Sequence, residues 1–200
     1  MNMLKALVAS AAFFTLSAGF AADRQVHLRG EVSAVTAGDL TITDRKGVKT
    51  TVKLPEQAQV LDVSRSSIAA IQENSYLGVA AAPAPQGKVR ALGVMVFPEP
   101  ARGMNEGHFP WDKGEGGTMT NATVAKVVKK ASATELEMRF GGKTQQVVLD
   151  GATVYGQFVP GKRELIVVGA KVIVIGAQTA DGGTVANAVL VGRDGFLPPL

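Results

Sequence analysis

The sequence predicts an all-β protein made of two tandem small β-barrels of five to six strands, each with at most one short helical turn. Three observations carry this prediction. Apolar residues alternate with Thr, Lys, Glu and Gln in short runs, as in Leu40-Thr41-Ile42-Thr43 and Leu136-Glu137-Met138, so alternate side chains share one buried face. Glycine-bearing turns punctuate the runs at Arg45-Lys46-Gly47, Pro85-Gln86-Gly87, Gly141-Gly142 and Asp181-Gly182-Gly183. The whole pattern then occurs twice along the chain. Closure into barrels is preferred to an open sheet because it removes edges that would template aggregation.

Residues 1–22 read as a secretory leader. Lys5 supplies the cationic start, Ala6 to Phe20 the apolar centre, and Ala21-Ala22 the small-residue exit before Asp23. The apolar stretch is shorter than the ~20 residues a spanning helix needs, so cleavage after Ala21 or Ala22 is expected. No other run is long and apolar enough to cross a bilayer as a helix. The expected product is a soluble, exported, periplasmic protein of about 180 residues, within the size of one large domain or two small ones. The chain has no Cys, so its stability is expected from burial and backbone pairing, without disulfides.

The first unit spans 24–98. Gly30 to Val35 opens it, Leu40/Ile42 and Val48/Thr50/Val52/Leu54 form a hairpin about Gly47, and Gln59 to Val63 adds a short strand. Ser66 or Ser67 is placed to cap a single helical turn bearing Ile68 and Ile71, stopped by Asn74. Tyr76 to Ala82 and Ala91 to Val96 complete the unit. The second unit, 119–192, follows the same course. Ala122 to Val127 opens it, Leu136/Met138/Phe140 and Val147/Leu149 flank Gly141-Gly142, and Thr153 to Gln157, Lys171 to Ala177 and Ala186 to Val191 follow. Residues 99–118 form a Gly/Pro-rich linker, and 193–200 an apolar tail whose prolines forbid helix and strand pairing.

A Gly-x-Val strand, Thr- and Val-rich hairpins, a stop before the fifth strand and a closing Val-x-Val strand resemble the oligonucleotide/oligosaccharide-binding-like (OB-like) barrel of exported bacterial proteins. Arg102 to Asp112, Met119 to Val124 and Val191 to Gly195 are similar to a family of proteobacterial two-barrel exported proteins, and the likeness covers nearly all of the chain after the leader. The resemblance implies the tandem fold and brings no established activity. Some members are labelled metal-transporter permeases, a label at odds with a sequence that offers no spanning helix beyond its leader.

Composition narrows the function classes. The formal net charge is +4 with a pI near 9.4, but acidic and basic residues alternate, and the densest pairs, Lys129-Lys130 and Lys162-Arg163, flank turns. A nucleic-acid groove concentrates its cations on one face, so nucleic acid is not the expected partner. No Cys, no Gly-x-Ser-x-Gly turn and no histidine beside a serine leave nucleophilic catalysis without parts. Gly114-Glu115-Gly116-Gly117 lacks the Lys-Ser/Thr of a phosphate loop. Asn121-Ala122-Thr123 fits a glycosylation sequon but opens a strand, and is expected to be unmodified. The protein is expected to have no catalytic residues and no resident cofactor.

The segment Glu106-Gly107-His108-Phe109-Pro110-Trp111-Asp112 gathers one of two histidines and the sole tryptophan. It has two readings. Glu106, His108 and Asp112 offer one nitrogen and two carboxylates to a divalent metal, with His27 as a fourth ligand only if the first strand came close. Alternatively Phe109, Pro110 and Trp111 form an interdomain clasp, in which burying one large ring contributes on the order of 2–3 kcal/mol. The prolines and glycines around it favour the clasp. The resulting expectation is a non-enzymatic binding or assembly module for a protein or small-molecule partner. Divalent-metal binding, and oligosaccharide or single-strand binding on the barrels, are the alternatives.

Overall fold

The computed structural model describes residues 24–200; the leader expected over 1–22 lies outside the described residues. The fold is all-β. In chain order the strands are β1 (Gln25–Val35), β2 (Asp39–Thr43), β3 (Lys49–Lys53), β4 (Gln59–Arg65), β5 (Tyr76–Pro83), β6 (Val89–Val96), β7 (Gly107–Pro110), β8 (Thr118–Lys129), β9 (Thr134–Phe140), β10 (Lys143–Leu149), β11 (Val154–Pro160), β12 (Lys171–Gln178) and β13 (Thr184–Gly192). Helical structure among the described residues is limited to single 3-10 turns such as Ile68–Ala70 and Arg163–Leu165. No helix there is long and apolar enough to cross a membrane.

Local chemistry sets the hairpins. At the β2–β3 turn the Asp44 carboxylate accepts hydrogen bonds from the backbone N–H groups of Lys46 and Val48 at 2.8 and 2.9 Å, an Asx turn completed by Gly47. The two-residue β9–β10 turn uses Gly141 and Gly142, both at positive φ (47° and 74°), the geometry whose twist matches the flanking strands. Asn74 takes the left-handed conformation expected of it (φ 69°). Ser67 stands at the start of the Ile68–Ala70 turn, but its hydroxyl makes no capping bond there.

All the described strands belong to one 13-stranded mixed sheet, whose pairing order mixes strands of 24–98 with strands of 119–192. β1, β2 and β3 join β13 and β12 in a ring, while β5 and β6 join β8, β9 and β10 in another. Each ring therefore takes strands from both halves of the sequence. Closure is narrow: Val185 opposite Lys53 in one ring, and Val147 and Val148 opposite Val89 and Arg90 in the other. The first ring encloses Val32, Leu40, Ile42, Val52, Val172, Val174 and Val189. The second encloses Leu77, Val79, Val94, Val124, Leu136, Met138 and Val147.

Between the rings β4 and β11 lie antiparallel, with Val63 directly opposite Phe158; β4 also runs parallel to β13, and β11 parallel to β6. Val63 and Phe158 are equivalent positions of the two repeats. The pair therefore marks a local two-fold axis. The same constant separation along the chain relates Ala80 to Ile175, Gly93 to Ala188, Met95 to Leu190 and Leu61 to Gly156. It also matches the bulge between Ala80 and Ala81 to that between Ile175 and Gly176. β1 and β8 are each bulged where they turn from one neighbour to the next, between Val32 and Ala34 and between Val124 and Lys126.

Candidate functional site

On the axial face of the sheet, Val63, Ala80, Met95, Phe158, Ile173 and Leu190 form a third apolar cluster, beneath Trp111, Met119, Phe196 and Leu200. Two segments cover that face: the hairpin built from β7 and β8, and the tail.

The segment expected as an irregular linker contains a strand. Gly107 to Pro110 pairs with Asn121 to Thr118, and the loop beyond is closed by Trp111 N–H donating to the Gly117 carbonyl at 2.8 Å. Pro110 sits at the last ladder position. Period two then decides the fate of the segment's side chains: Phe109 points inward and is half-buried, His108 and Pro110 are exposed. Trp111 is only 8% exposed. Its indole stacks on His27 of β1, centroids 3.7 Å apart and planes tilted by 33°, and meets Phe109 edge-on at 6.2 Å.

Beside this stack Arg29 grips Asp112 with two hydrogen bonds of 2.7 Å, Nη1 to Oδ2 and Nη2 to Oδ1. Its Nε donates to the main-chain oxygen of Leu200, also at 2.7 Å. One guanidinium thus ties β1, the hairpin loop and the tail together, a fork geometry lysine cannot reproduce. His27 Nδ1 lies 3.2 Å from Asp112 Oδ1, and the imidazole is 7% exposed. Burial holds the His27 pKa below its ordinary value; the Asp112 carboxylate opposes that shift and Arg29 adds to it. The ring is therefore neutral near pH 7, with Nδ1 facing the Asp112 carboxylate. Desolvation works to raise Asp112, but the Arg29 hydrogen bonds and the Arg29 and His27 charges outweigh it and leave the carboxyl below its usual value. Neither His27 Nε2 nor Trp111 Nε1 has a hydrogen-bonding partner among the described residues.

The structure does not bring Glu106, His108 and Asp112 together. Glu106 Oε1 accepts from the Gly141 N–H at 2.9 Å. His108 Nδ1 contacts Thr120 Oγ1 at 2.8 Å, and its ring stacks at 6.0 Å on Phe140. Asp112 is engaged by Arg29. Among the described residues no group of three or more His, Cys, Asp or Glu is placed to hold a metal ion. Of the three only His108 lies on the β7 ladder; Glu106 precedes it and Asp112 follows its last position at Pro110, so each is drawn to a different neighbour. Asn121 of the sequon is 7% exposed, and its Nδ2 donates to the Asn105 carbonyl at 3.1 Å.

The tail is buried in extended form. Phe196 and Leu200 are 3% and 7% exposed, and Pro198 and Pro199 are buried. Pro199 lies directly over Gly93 and Gly156, where a Cβ on Gly93 would overlap the Pro199 carbonyl oxygen. Arg65 stacks its guanidinium over the Phe196 ring at 4.7 Å.

Bordered by Met95 and by the tail's Leu200, a cleft of about 760 Å³ opens across the axis between β4, β13 and the β7–β8 hairpin. Its apolar wall includes Leu61, Phe97, Phe109, Trp111, Phe158 and Leu190; side-chain amides from Gln25, Gln57, Gln59, Asn105, Asn121 and Asn187 rim it. Among the described residues Glu106 is the one charged side chain in its lining, and no Ser, Thr, His, Lys or Arg contributes to it. The cleft was not visible in the sequence, because Gln59 and Asn187 meet Trp111 only through the axial pairing. Arg29 was missed for a similar reason: it lies 83 residues from Asp112, and neither residue's local sequence marks the pair.

No family model, curated protein or solved structure matches this chain.

Proposed function

We propose that this protein is a non-enzymatic, exported and periplasmic binding module that seats an uncharged ligand in the cleft between its two five-stranded rings. The leader pattern supports export, and the rings are read as OB-like barrels assembled from both halves of the chain. One observation carries the binding function: a cleft of about 760 Å³ with an aromatic and aliphatic wall and an amide rim. That volume lies in the range of ligand sites, and an apolar wall with a few convergent polar groups is their usual composition. Amides supply both donors and acceptors without charge, so they recognise neutral hydrogen-bonding groups. A non-enzymatic role is supported by the lining itself, whose one ionisable group, Glu106, is held by Gly141 N–H. Acid–base or nucleophilic work needs at least a second positioned group.

Trp111, the sole tryptophan, lines the cleft and reports on its occupancy. The test is titration of the full described chain with neutral oligosaccharides and with neutral blocked peptides, read by Trp111 fluorescence and calorimetry. Saturable binding by one class, weakened at least tenfold by Asn187→Arg, is the expected result. If neither class binds, the cleft is not a ligand site.

A further inference from the structure

The local two-fold axis at Val63 and Phe158 relates two grooves on the same face of the sheet. On one side Gly93, Gly156 and Met95 floor a groove that is filled, with Pro199 lying over both glycines. Their equivalents across the axis are Ala188, Leu61 and Leu190, and all three line the open cleft. One groove of the pair thus holds an extended, proline-bearing segment of apolar side chains; its counterpart is bordered by that segment's Leu200 and is otherwise open.

We propose that the open cleft is the docking site for an extended, neutral, proline-containing peptide segment of a partner protein, bound as the chain's own tail is bound across the axis. The proposal rests on the cleft being the ligand site and names the occupant. Charge supports it: among the described residues Glu106 is the cleft's one charged side chain and is committed to Gly141, so a charged segment would be desolvated without a counter-charge. Shape and chemistry support it as well. Phe97, Phe109, Trp111 and Phe158 supply an aromatic wall, the kind of surface on which preformed polyproline-type segments dock at low entropic cost. The amide rim can pair with the main-chain N–H and C=O groups that such a segment leaves free.

The two grooves are not identical. Gly93 and Gly156 let the tail's main chain lie on the sheet itself, whereas Ala188 and Leu61 fill that layer. A segment in the cleft therefore rides further out, within reach of the exposed Gln59 and Asn187. The occupant comes from a partner and not from this chain, because the chain's own tail is already fixed by Gly93, Gly156 and Arg29.

The experiment uses the full described chain and the blocked pentapeptide Phe-Leu-Pro-Pro-Leu as probe, followed by Trp111 fluorescence and calorimetry. One-to-one saturable binding is expected, with affinity lowered at least tenfold by Asn187→Arg. Gln59→Arg on the adjoining strand β4 should do the same, and near-UV circular dichroism of each variant should match the parent. Binding that survives both substitutions would mean the peptide displaces the tail from its own groove, and would overturn the proposal. Self-association abolished by Asn187→Arg would overturn it in favour of a second copy's tail. A neutral oligosaccharide binding where the peptide does not would also overturn it, while leaving the cleft as a ligand site; silence from both probes would remove the cleft reading too.

Discussion

Arg29 and Asp112 meet through two parallel hydrogen bonds of 2.7 Å, and the same guanidinium reaches Leu200, so a single side chain on β1 fastens both coverings of the axial face. The carboxylate is nearly half exposed (45%), which discounts the pair's strength relative to a buried one. Arg29→Met is expected to cost about 1 kcal/mol in urea unfolding. It should also raise the His27 pKa, because it removes a cation that lowers it and leaves Asp112, which raises it. A His27 imidazole titration by NMR that does not move upward in the variant would contradict this account.

Stability should fall in mild acid through His27. Burial lowers its folded pKa below the ordinary value of 6.5, so between the two values the unfolded chain binds a proton that the folded chain does not. In that window stability rises with pH. Loss should begin as the pH drops below 6.5 and continue down to the lowered folded value. Denaturation midpoints of the parent and of His27→Gln between pH 7.5 and 5 test this: the variant's profile should be flatter. His108, exposed on β7 but partly desolvated and so also lowered, contributes the same sign and should be removed in a matched His108→Gln control.

Trp111→Ala removes the largest side chain covering the axial cluster and is expected to cost about 3–5 kcal/mol. Trp111→Phe should cost less, since an aromatic face against His27 is retained. Equal losses in the two variants, measured by urea unfolding, would mean that packing at this position is not the source of stability.

Gly93→Ala tests the tail's seat. A methyl group there overlaps the Pro199 carbonyl, and main-chain atoms cannot yield as a flexible side chain can. Hydrogen exchange at the Phe196 amide, which donates to the Arg193 carbonyl, should quicken in the variant, with Gly151→Ala, where nothing lies within 4 Å, as the neutral control. Unchanged exchange would show that the tail is not held by its contact with β6.

Interleaved rings predict one unfolding transition. Leu40 lies in the first ring's core and Leu136 in the second's, yet each core contains residues from both halves of the chain. Leu40→Ala and Leu136→Ala should each lower the same single calorimetric transition, with calorimetric and van't Hoff enthalpies agreeing. Two separable transitions, each shifted by one variant alone, would refute the interlocking.

Leu40, Ile42, Leu136 and Met138 advertise their buried face by alternation, which is a local property of the pleat. Gly141-Gly142 and Asp44-Gly47 likewise declare their turns through backbone conformations that few residues adopt. By such means the sequence by itself determined that the protein is all-β, where most strands run, that the pattern repeats, and that Phe109 and Trp111 had apolar area to bury. Period two also governs Gly107 to Pro110, but four residues with a proline carry too short a pattern to distinguish a strand from a linker. Only the tertiary structure decided which strands close which ring. Hydrophobic alternation specifies a face and not a partner, so β3 is satisfied equally by its own repeat or by β13. The cleft, the Arg29 tie and the dispersal of Glu106, His108 and Asp112 all follow from that choice of partners, made by contacts far apart along the chain.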